Sequence, residues 1–528
     1  HRAVHPQGAD SREGQWLALA TAALWLIHPL HVSTVLYTVQ RMAQISTLGM
    51  LAALACYLHG RIRIGEGRSG VPWMLAAVPL AALGFIGKEN AALLPLLLLV
   101  SEVTVLRQVG LGPRPVAVRT IQALFIALPV AAALAYFATH PGYFDHSGRS
   151  FTLEERLLTQ PRVIWFYIQM LLVPDVSRMG LFHDDLVIST GLTDPPTTLA
   201  AIVALGLLAI AALALRTRAP LPAFGVLLFL AGHALESTAF PLEMAFEHRN
   251  YLPSVGILLV VAWLLVEGAK RLRHRHLAPL LGIVLLVAYS GATWVRVGEW
   301  SSQESFILSA AENHPRSPRA NFMAGQLLIT ALDRPGVDRE AVAHAARTFL
   351  EGGLDADPRC INCLFGLLVL DLHLDRQPDP ALVDRLAAAL RTGHVDATNT
   401  SVSQFGYLVR WHRSDGVKLT SGQLRAIFDA AQANPGWNST GRAGIAAAYR
   451  EYFELVAGDL EAALVQAQLA IRSWPQQWSY HMQLVEVLRK LGRDPEALAA
   501  LERAAPLAEN ATQLERMAQV RAALAQSE

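Results

Sequence analysis

The chain has 528 residues, a net charge of +1, 53% hydrophobic residues and only 16% charged residues. Soluble chains average about 25% charged residues, so this composition excludes an entirely soluble or intrinsically disordered protein. The balanced charge gives no support to a nucleic-acid-binding protein, and three cysteines are too few for a disulfide scaffold.

Up to about residue 296 the chain alternates apolar runs with short polar loops. A helix needs about 20 apolar residues to cross a bilayer. Nine segments are long enough, or nearly so, and lie near 15–30, 43–59, 71–87, 91–107, 120–138, 197–215, 221–239, 253–269 and 277–295. We therefore predict a transmembrane domain over residues 1–296 and a water-soluble helical domain over residues 297–528.

Basic residues predict the orientation of these spans, because short cytoplasmic loops carry an excess of Lys and Arg. Four loops hold twelve basic residues between them, whereas the three short loops of the opposite side hold one each, Arg41, Lys88 and Arg249. The pattern places the N-terminal tail in the cytoplasm and the C-terminal domain on the outer side.

One further apolar segment, near 162–174, is predicted to lie in the outer interface without crossing. A crossing there would reverse the charge bias of the loops that follow. Its length also suits an interfacial helix, which Trp165, Phe166 and Tyr167 would anchor.

Four polar clusters fall on the predicted outer side. Ionisable groups at membrane depth are costly and normally pair around a cavity, so the clusters predict one polar site. In chain order they are His28, His31 and Arg41; Lys88, Glu89 and Asn90; His183, Asp184 and Asp185; and His233, Glu236, Glu243, Glu247, His248, Arg249, Asn250 and Tyr251. Structural roles stay open for two of them: His28 and His31 suit a helix cap beside Pro29, and Lys88 with Glu89 suits a structural ion pair.

The residue types indicate transfer chemistry. A carboxylate is the natural general base for an acceptor hydroxyl, and Asp184, Asp185, Glu236 and Glu247 are the candidates. Arg249 suits a phosphate oxygen, because its planar guanidinium binds oxyanions with two hydrogen bonds. The chain has no P-loop, dinucleotide fingerprint, nucleophile elbow or zinc-ligand motif. We expect no metal and no cofactor.

Beyond Trp300 the sequence becomes a series of about six amphipathic helix pairs. Gly458 and Gly492 each begin a similar stretch, 34 residues apart, and this is the period of tetratricopeptide repeats. Such arrays form concave surfaces that bind peptides or proteins. Cys360 and Cys363 are consistent either with a local disulfide or with two small apolar side chains on a repeat helix.

Four stretches carry a family resemblance: LALATAALWLIHPLHVSTVLYTVQRM, GKENAALLPLLLL, FEHRNYLPSVGILL and VRVGEWSSQESFILSAAENHPRSPRANFMAGQLL. Together the chain resembles bacterial relatives of the transmembrane-and-TPR O-mannosyltransferases, which join a GT-C-type glycosyltransferase module to tetratricopeptide repeats. The resemblance covers nearly the whole chain. It implies an all-α fold, in which a polytopic transmembrane helical bundle is followed by an α-solenoid.

The resemblance also implies a function. The enzyme would transfer a sugar, with inversion, from a polyprenyl-phosphate or dolichyl-phosphate donor to an acceptor hydroxyl on the outer face of the bacterial inner membrane. The repeats would present a protein or peptide acceptor. The resemblance carries Glu247 onto this sequence, whereas Asp184 and Asp185 lie in a different outer loop from the family's catalytic acid and stay candidates on their residue type alone. The donor phosphate would meet Arg249, His248, Arg41 and Lys88. The supporting residues would be His28, His31, Glu89, His183, Glu236, Asn250 and Tyr251.

Two other functions stay open at this point. One is a non-enzymatic membrane scaffold for pilus or secretion assembly, and the other is a ligase that moves a whole glycan from a lipid pyrophosphate. The polar clusters favour an enzyme, because a scaffold has no need for ionisable groups at one membrane face.

The chain departs from the family at its start. The family begins with two further spans joined by a large outer loop, which holds its principal acidic residue, whereas this sequence begins at His1. We therefore expect an N-terminally truncated chain that is inactive by itself.

Overall fold

A computed structural model describes residues 12–109, 111, 113, 115–146, 149–271, 276–393, 400–412 and 419–525. Over these residues the regular structure is helical, and it contains no β-strand. The all-α prediction is confirmed for this part of the chain. Contacts divide the chain into two compact units, one formed by residues up to 146 with 151–314 and the other by residues 147–150 with 315–528.

The first unit contains thirteen α-helices among its described residues. They are α1 (Arg12–Leu26), α2 (Val32–Leu36), α3 (Arg41–Gly65), α4 (Val71–Gly87), α5 (Leu94–Val103), α6 (Pro115–Gln122), α7 (Leu128–Thr139), α8 (Leu153–Leu172), α9 (Thr197–Leu215), α10 (Pro220–Gly232), α11 (Ser254–Arg271), α12 (Leu277–Glu299) and α13 (Gln303–Asn313). A π-helical turn joins α6 to α7, and a short 3₁₀ helix, Glu247–Asn250, precedes α11.

Four helical stretches of the described chain are long and apolar enough to cross a membrane. They are Thr38–Gly65, Pro115–Thr139, Thr197–Leu215 and Leu277–Glu299. A fifth span results if Glu13–Leu26 and Pro29–Leu36, which meet at 52°, cross as one broken helix. These stretches match five of the nine predicted segments.

The other four predicted segments form helices that are shorter or more polar than expected. Helices α4, α5 and α10 have 17, 10 and 13 residues, and α11 carries Glu267, Lys270 and Arg271 within its 18 residues. Helices α4 and α10 end directly before the polar residues Lys88 and His233. The nine-span topology and its orientation stay predictions.

Glycines allow the closest helix contacts of the first unit. A Cβ atom on Gly256 of α11 would lie 2.2 Å from the Gly225 carbonyl oxygen of α10, and one on Gly49 of α3 would lie 2.6 Å from the Gly84 nitrogen of α4. Small residues at such crossings are typical of helices that associate in a bilayer. They bring α3, α4, α10 and α11 together near the residues described below.

The segment near 162–174 is part of a longer helix, since α8 runs from Leu153 to Leu172 behind a capping box formed by Thr152 and Glu155. The predicted anchoring by Tyr167 is wrong. Its ring is buried and its hydroxyl hydrogen-bonds to the Phe246 backbone. Tyr167, which was predicted to face the membrane interface, therefore packs in the interior of the protein.

The second unit contains eleven α-helices among its described residues. They are α14 (Pro318–Ala331), α15 (Arg339–Ala356), α16 (Ile361–His373), α17 (Pro380–Thr392), α18 (Thr400–His412), α19 (Ser421–Ala433), α20 (Ser439–Tyr452), α21 (Leu460–Ser473), α22 (Trp478–Lys490), α23 (Asp494–Ala504) and α24 (Ala511–Ala525). Sequential helices pack on one another, and α14, α16, α18 and α20 also make contacts in that order. Their description as tetratricopeptide repeats stays a prediction.

Cys360 and Cys363 form a disulfide at the start of α16. Both side chains are buried. Of the two alternatives that the sequence left open, the structure has the local disulfide.

Candidate functional site

One face of helix α8 holds the backbone segment that carries several of the predicted site residues. Arg156, Gln160 and Tyr167 recur at the spacing of a single helical stripe and are buried. Arg156 donates to the carbonyl oxygens of Thr238 at 2.7 Å and Glu236 at 2.6 Å. Gln160 donates to the Met244 carbonyl at 2.9 Å. These bonds fix the irregular segment between α10 and the 3₁₀ helix Glu247–Asn250, whose backbone would otherwise lack partners.

Residues of two of the four predicted clusters line one cavity, which we call the cationic cavity. Its polar lining consists of Ser46, Thr47, Lys88, Asn90, His248, Arg249 and Tyr251. Lys88 and Arg249 supply two positive charges, and both side chains are buried. The predicted convergence of Lys88 with the 247–251 segment is found in the structure.

Lys88 pairs with Glu236 and not with its neighbour Glu89. The Lys88 Nζ atom lies 2.6 Å from Glu236 Oε1, and both side chains are 7% exposed. Asn90 also hydrogen-bonds to the Glu236 carboxylate, and the charge of Arg249 acts on it. Glu89 is exposed. A local ion pair with Glu89 therefore does not explain why a lysine is buried at position 88.

Arg249 is held on one side and has donor capacity left on the other. Its Nη1 atom donates to the Met244 carbonyl at 3.1 Å, and its guanidinium carbon lies 5.3 Å from the Phe246 ring centroid. Its Nε atom is buried without a hydrogen-bond partner among the described residues. A buried donor without a partner is costly, and an acceptor atom placed beside it would satisfy it.

His248 lies beside these cations. Burial lowers the pKa of His248 to about 3, and the charge of Lys88 adds to this effect. The ring stacks on Phe246, with centroids 5.0 Å apart. At neutral pH His248 is therefore a neutral imidazole that can donate one hydrogen bond and accept another.

A second polar group lies on the other side of Glu247–Asn250, and we call it the imidazole–carboxylate cluster. It consists of His183, Asp185, Glu247, Arg296 and His314. Glu247 Oε1 accepts from the Gly180 backbone nitrogen at 2.8 Å, and both carboxylate oxygens lie 3.4 Å from Arg296 Nη2. His183 Nε2 lies 3.9 Å from Glu247 Oε1.

His314 and Asp185 form the other half of this cluster. His314 Nδ1 lies 2.9 Å from Asp185 Oδ2. Burial opposes the charge on both groups, but their mutual hydrogen bond and attraction outweigh it, so the pKa of His314 is raised and that of Asp185 is lowered. Burial lowers the pKa of His183 to about 3, helped by the nearby His314.

Three side chains of this cluster have the geometry of metal ligands. One ligand atom each from His183, Asp185 and His314 lie within 4.8 Å of one another. His183 and His314 are buried, and the Nε2 atom of each has no hydrogen-bond partner among the described residues. The sequence motif "HDD" gave no sign of this, because the third residue is 129 positions further along.

His28 and His31 have structural partners at both ring nitrogens. His28 caps the 3₁₀ helix Pro29–His31 by accepting from the Leu30 nitrogen, and its Nε2 lies 3.1 Å from the Leu171 carbonyl oxygen. His31 bonds to the Trp25 carbonyl at 2.8 Å and to Ser254 Oγ at 3.0 Å. The capping role of His28 is found in the structure, and both histidines join α1, α8 and α11.

The remaining predicted residues are divided between surface and interior. Arg41 and Asp184 are exposed, and Arg41 is not among the residues that line the cationic cavity. Asn250 is buried and donates to the Glu247 carbonyl at 3.3 Å. Tyr251 lines the cavity, and its ring packs against Trp25 and His31.

The sequence prediction missed Arg156, Arg296 and His314. Arg156 and His314 were not among the candidate residues, and Arg296 was taken only as the end of the membrane domain. A signal existed for Arg296, since a charged residue three positions before Glu299 at the end of an apolar helix needs a partner. His314 carries no such signal, because it lies in a polar stretch.

No family model matches this chain, and no curated protein matches it.

Proposed function

We propose that the protein is an inverting membrane glycosyltransferase that transfers a sugar from a polyprenyl-phosphate donor to an acceptor, a protein hydroxyl, at the outer face of the bacterial inner membrane. The cationic cavity binds the donor phosphate, with Arg249 as its main ligand. Neither a metal nor a cofactor is required for this step.

The observation that carries the proposal is the state of Arg249 in the cationic cavity. A buried guanidinium, whose Nε donor has no hydrogen-bond partner in the described part of the chain, lines the cavity with a buried Lys88. One carboxylate, Glu236, pairs with Lys88, and the charge of Arg249 acts on it. This leaves positive charge and donor capacity for an anion. Arg suits a phosphate because its donors match the spacing of two phosphate oxygens.

The reaction is a single displacement at the anomeric carbon. The acceptor oxygen forms a bond to that carbon as the carbon–phosphate oxygen bond breaks, and the acceptor proton passes to a carboxylate. Arg249 and Lys88 stabilise the charge that develops on the departing phosphate. Neutral His248 hydrogen-bonds to a phosphate oxygen or to the acceptor.

Asp184, Asp185 and Glu247 stay the candidates for the carboxylate. Their settings differ: Asp184 is exposed, Asp185 bonds to His314, and Glu247 is buried against Arg296 and Gly180. An exposed carboxylate is accessible to an acceptor, whereas the buried Glu247, held by Arg296 and Gly180, suits a positioning role. This difference favours Asp184 as the base and Glu247 as the residue that holds the 247–250 helix.

The second unit would recruit the acceptor as a tetratricopeptide-type array. Gly458 and Gly492 both take positive φ angles, 69° and 70°, and Ala463, Ala470, Ala497 and Ala504 are all fully buried. These equivalent positions recur at the predicted 34-residue period and support repeated helix pairs. We place this unit in the periplasm, in agreement with the basic-residue bias of the loops.

The test is sugar transfer by the full-length protein in proteoliposomes that contain a radiolabelled polyprenyl-phosphate sugar. Arg249→Ala should lower the transfer rate by about 100- to 1,000-fold, the effect of removing one donor that stabilises developing charge. Arg178→Ala is the matched control, since Arg178 is an exposed arginine on the same predicted side. Equal rates for Arg249→Ala and Arg178→Ala would refute the assignment of Arg249.

Two further outcomes would identify another function. Transfer only from a lipid pyrophosphate would indicate the glycan ligase. If the wild-type protein transfers no sugar but retains a protein partner in pull-down experiments, the scaffold function replaces the enzyme.

A further inference from the structure

The imidazole–carboxylate cluster contains two buried imidazole nitrogens with no protein partner. His183 is 5% exposed and His314 is 6% exposed, and Nε2 of each lacks a hydrogen bond among the described residues. A buried polar atom without a partner is costly. The two rings pack edge to face, with centroids 5.4 Å apart at 88°, and the unpartnered Nε2 of His183 needs an explanation.

A bound cation gives that explanation. Lone pairs of neutral imidazoles and a carboxylate oxygen are the ligands that zinc and similar divalent transition-metal ions prefer, whereas magnesium and calcium prefer oxygen ligands alone. His183, Asp185 and His314 supply two nitrogens and an oxygen within 4.8 Å of one another. We propose that these three residues form a binding site for a divalent transition-metal ion of the zinc class.

The geometry around the proposed ligands suits a metal ion. Asp185 Oδ2 and His314 Nδ1 lie 2.9 Å apart, a separation that two ligands of one ion can have when each lies about 2.0–2.2 Å from it. Gly180 leaves the required space, since a Cβ atom there would lie 2.7 Å from His314 Nε2. Glu247, at 3.9 Å from His183 Nε2, adds negative charge beside the site.

The ion would position the 247–250 helix. His183 and Asp185 lie in the segment that follows α8, and His314 ends α13. A metal ion would tie these two ends together next to Glu247, which shares a short helix with Arg249. Three protein ligands leave a coordination position open. The inference does not rest on the proposed glycosyl transfer.

The test uses the full-length protein in detergent, purified without a histidine tag, stripped with EDTA and dialysed against micromolar Zn²⁺ with millimolar Mg²⁺. Mass spectrometry of the metal content should give about one zinc per chain. After loading with Co²⁺, visible absorption bands should report nitrogen and oxygen ligands. Absence of bound zinc in the wild-type protein would overturn the proposal.

Variants locate the ion. His183→Gln should abolish stoichiometric binding, and Asp185→Asn should weaken it by roughly 10- to 100-fold. His373→Gln, which changes a partly buried histidine of the second unit, is the control and should bind zinc as the wild type does. Zinc should also raise the melting temperature of the wild type and of His373→Gln but not that of His183→Gln. Unchanged binding in both cluster variants would place the ion elsewhere and refute the site.

Discussion

The cationic cavity and the imidazole–carboxylate cluster both contain residues of the short helix Glu247–Asn250. They differ in which charged residue of that helix they receive, Arg249 in the cavity and Glu247 in the cluster. The cavity combines Lys88 and Arg249 with one carboxylate, Glu236. The cluster combines two carboxylates with Arg296 and two histidines, one of which stays neutral because burial lowers its pKa to about 3. Four consecutive residues therefore present a cation to one group and an anion to the other.

The difference indicates a division of roles. Arg249 lines a cavity, and its Nε donor has no hydrogen-bond partner among the residues that the structure describes, so this donor is available to a ligand. Glu247 accepts hydrogen bonds from Gly180 and Arg296, so its position is fixed. We infer that the cavity binds the substrate and that the cluster holds the helix in place.

The largest expected effect tests the ion pair of the cavity. Glu236→Leu leaves Lys88 buried and charged without its partner, and removal of one member of a buried pair costs about 3–5 kcal/mol. Thermal unfolding in detergent should show this loss for Glu236→Leu. The double variant Lys88→Met with Glu236→Leu should regain most of the stability, because no charge is then left buried.

A double variant as unstable as the single one would contradict this account. Stability would then depend on the shape of the glutamate side chain and on its bond from Asn90. The charge of the Lys88–Glu236 pair would then not be what stabilises the cavity.

A smaller loss of stability is expected from a substitution that disturbs the cluster but not the cavity. Gly180→Ala places a methyl group 2.7 Å from His314 Nε2, and overpacking of this kind costs about 1–3 kcal/mol. Because His314 must move, zinc binding should weaken. Gly142→Ala is the control, since a Cβ atom there meets nothing within 4 Å.

The same Gly180→Ala variant tests whether the two groups are independent. The Lys88–Glu236 pair lies in the other group, so donor binding in a filtration assay should change by less than about tenfold, which corresponds to 1.4 kcal/mol. Loss of donor binding equal to that of Arg249→Ala would show that cluster and cavity act as one site.

The two groups also differ in how far the sequence predicted them. Lys88, Glu236, His248 and Arg249 each stand out as polar groups beside apolar helices, and an unpaired charge there must find a partner. This principle predicted that they converge. The cluster depends on the path of the segment after α8, which contains no α-helix from Val173 to Pro196. His314 therefore could not be connected with Asp185.

Helix lengths show the same limit. Apolar composition identified α3, α9 and α12 as candidate spans, because long apolar runs allow few other structures. The ends of α4 and α10 depend on Lys88 and His233, whose partners are Glu236 in one case and the rings of Phe229 and Tyr167 in the other. The apolar composition of a sequence segment does not reveal such tertiary partners.

The smallest expected effect concerns Arg41, which the family resemblance assigns to the donor phosphate. Arg41 is exposed at the start of α3 and does not line the cationic cavity. An exposed charge several residues from the cavity attracts an anion only through solvent, where the interaction is worth about 1 kcal/mol or less. Arg41→Ala should therefore lower transfer by less than about tenfold, and added salt should remove the difference from wild type. A loss as large as that of Arg249→Ala, insensitive to salt, would mean that Arg41 binds the phosphate directly and that the donor site extends to the first turn of α3.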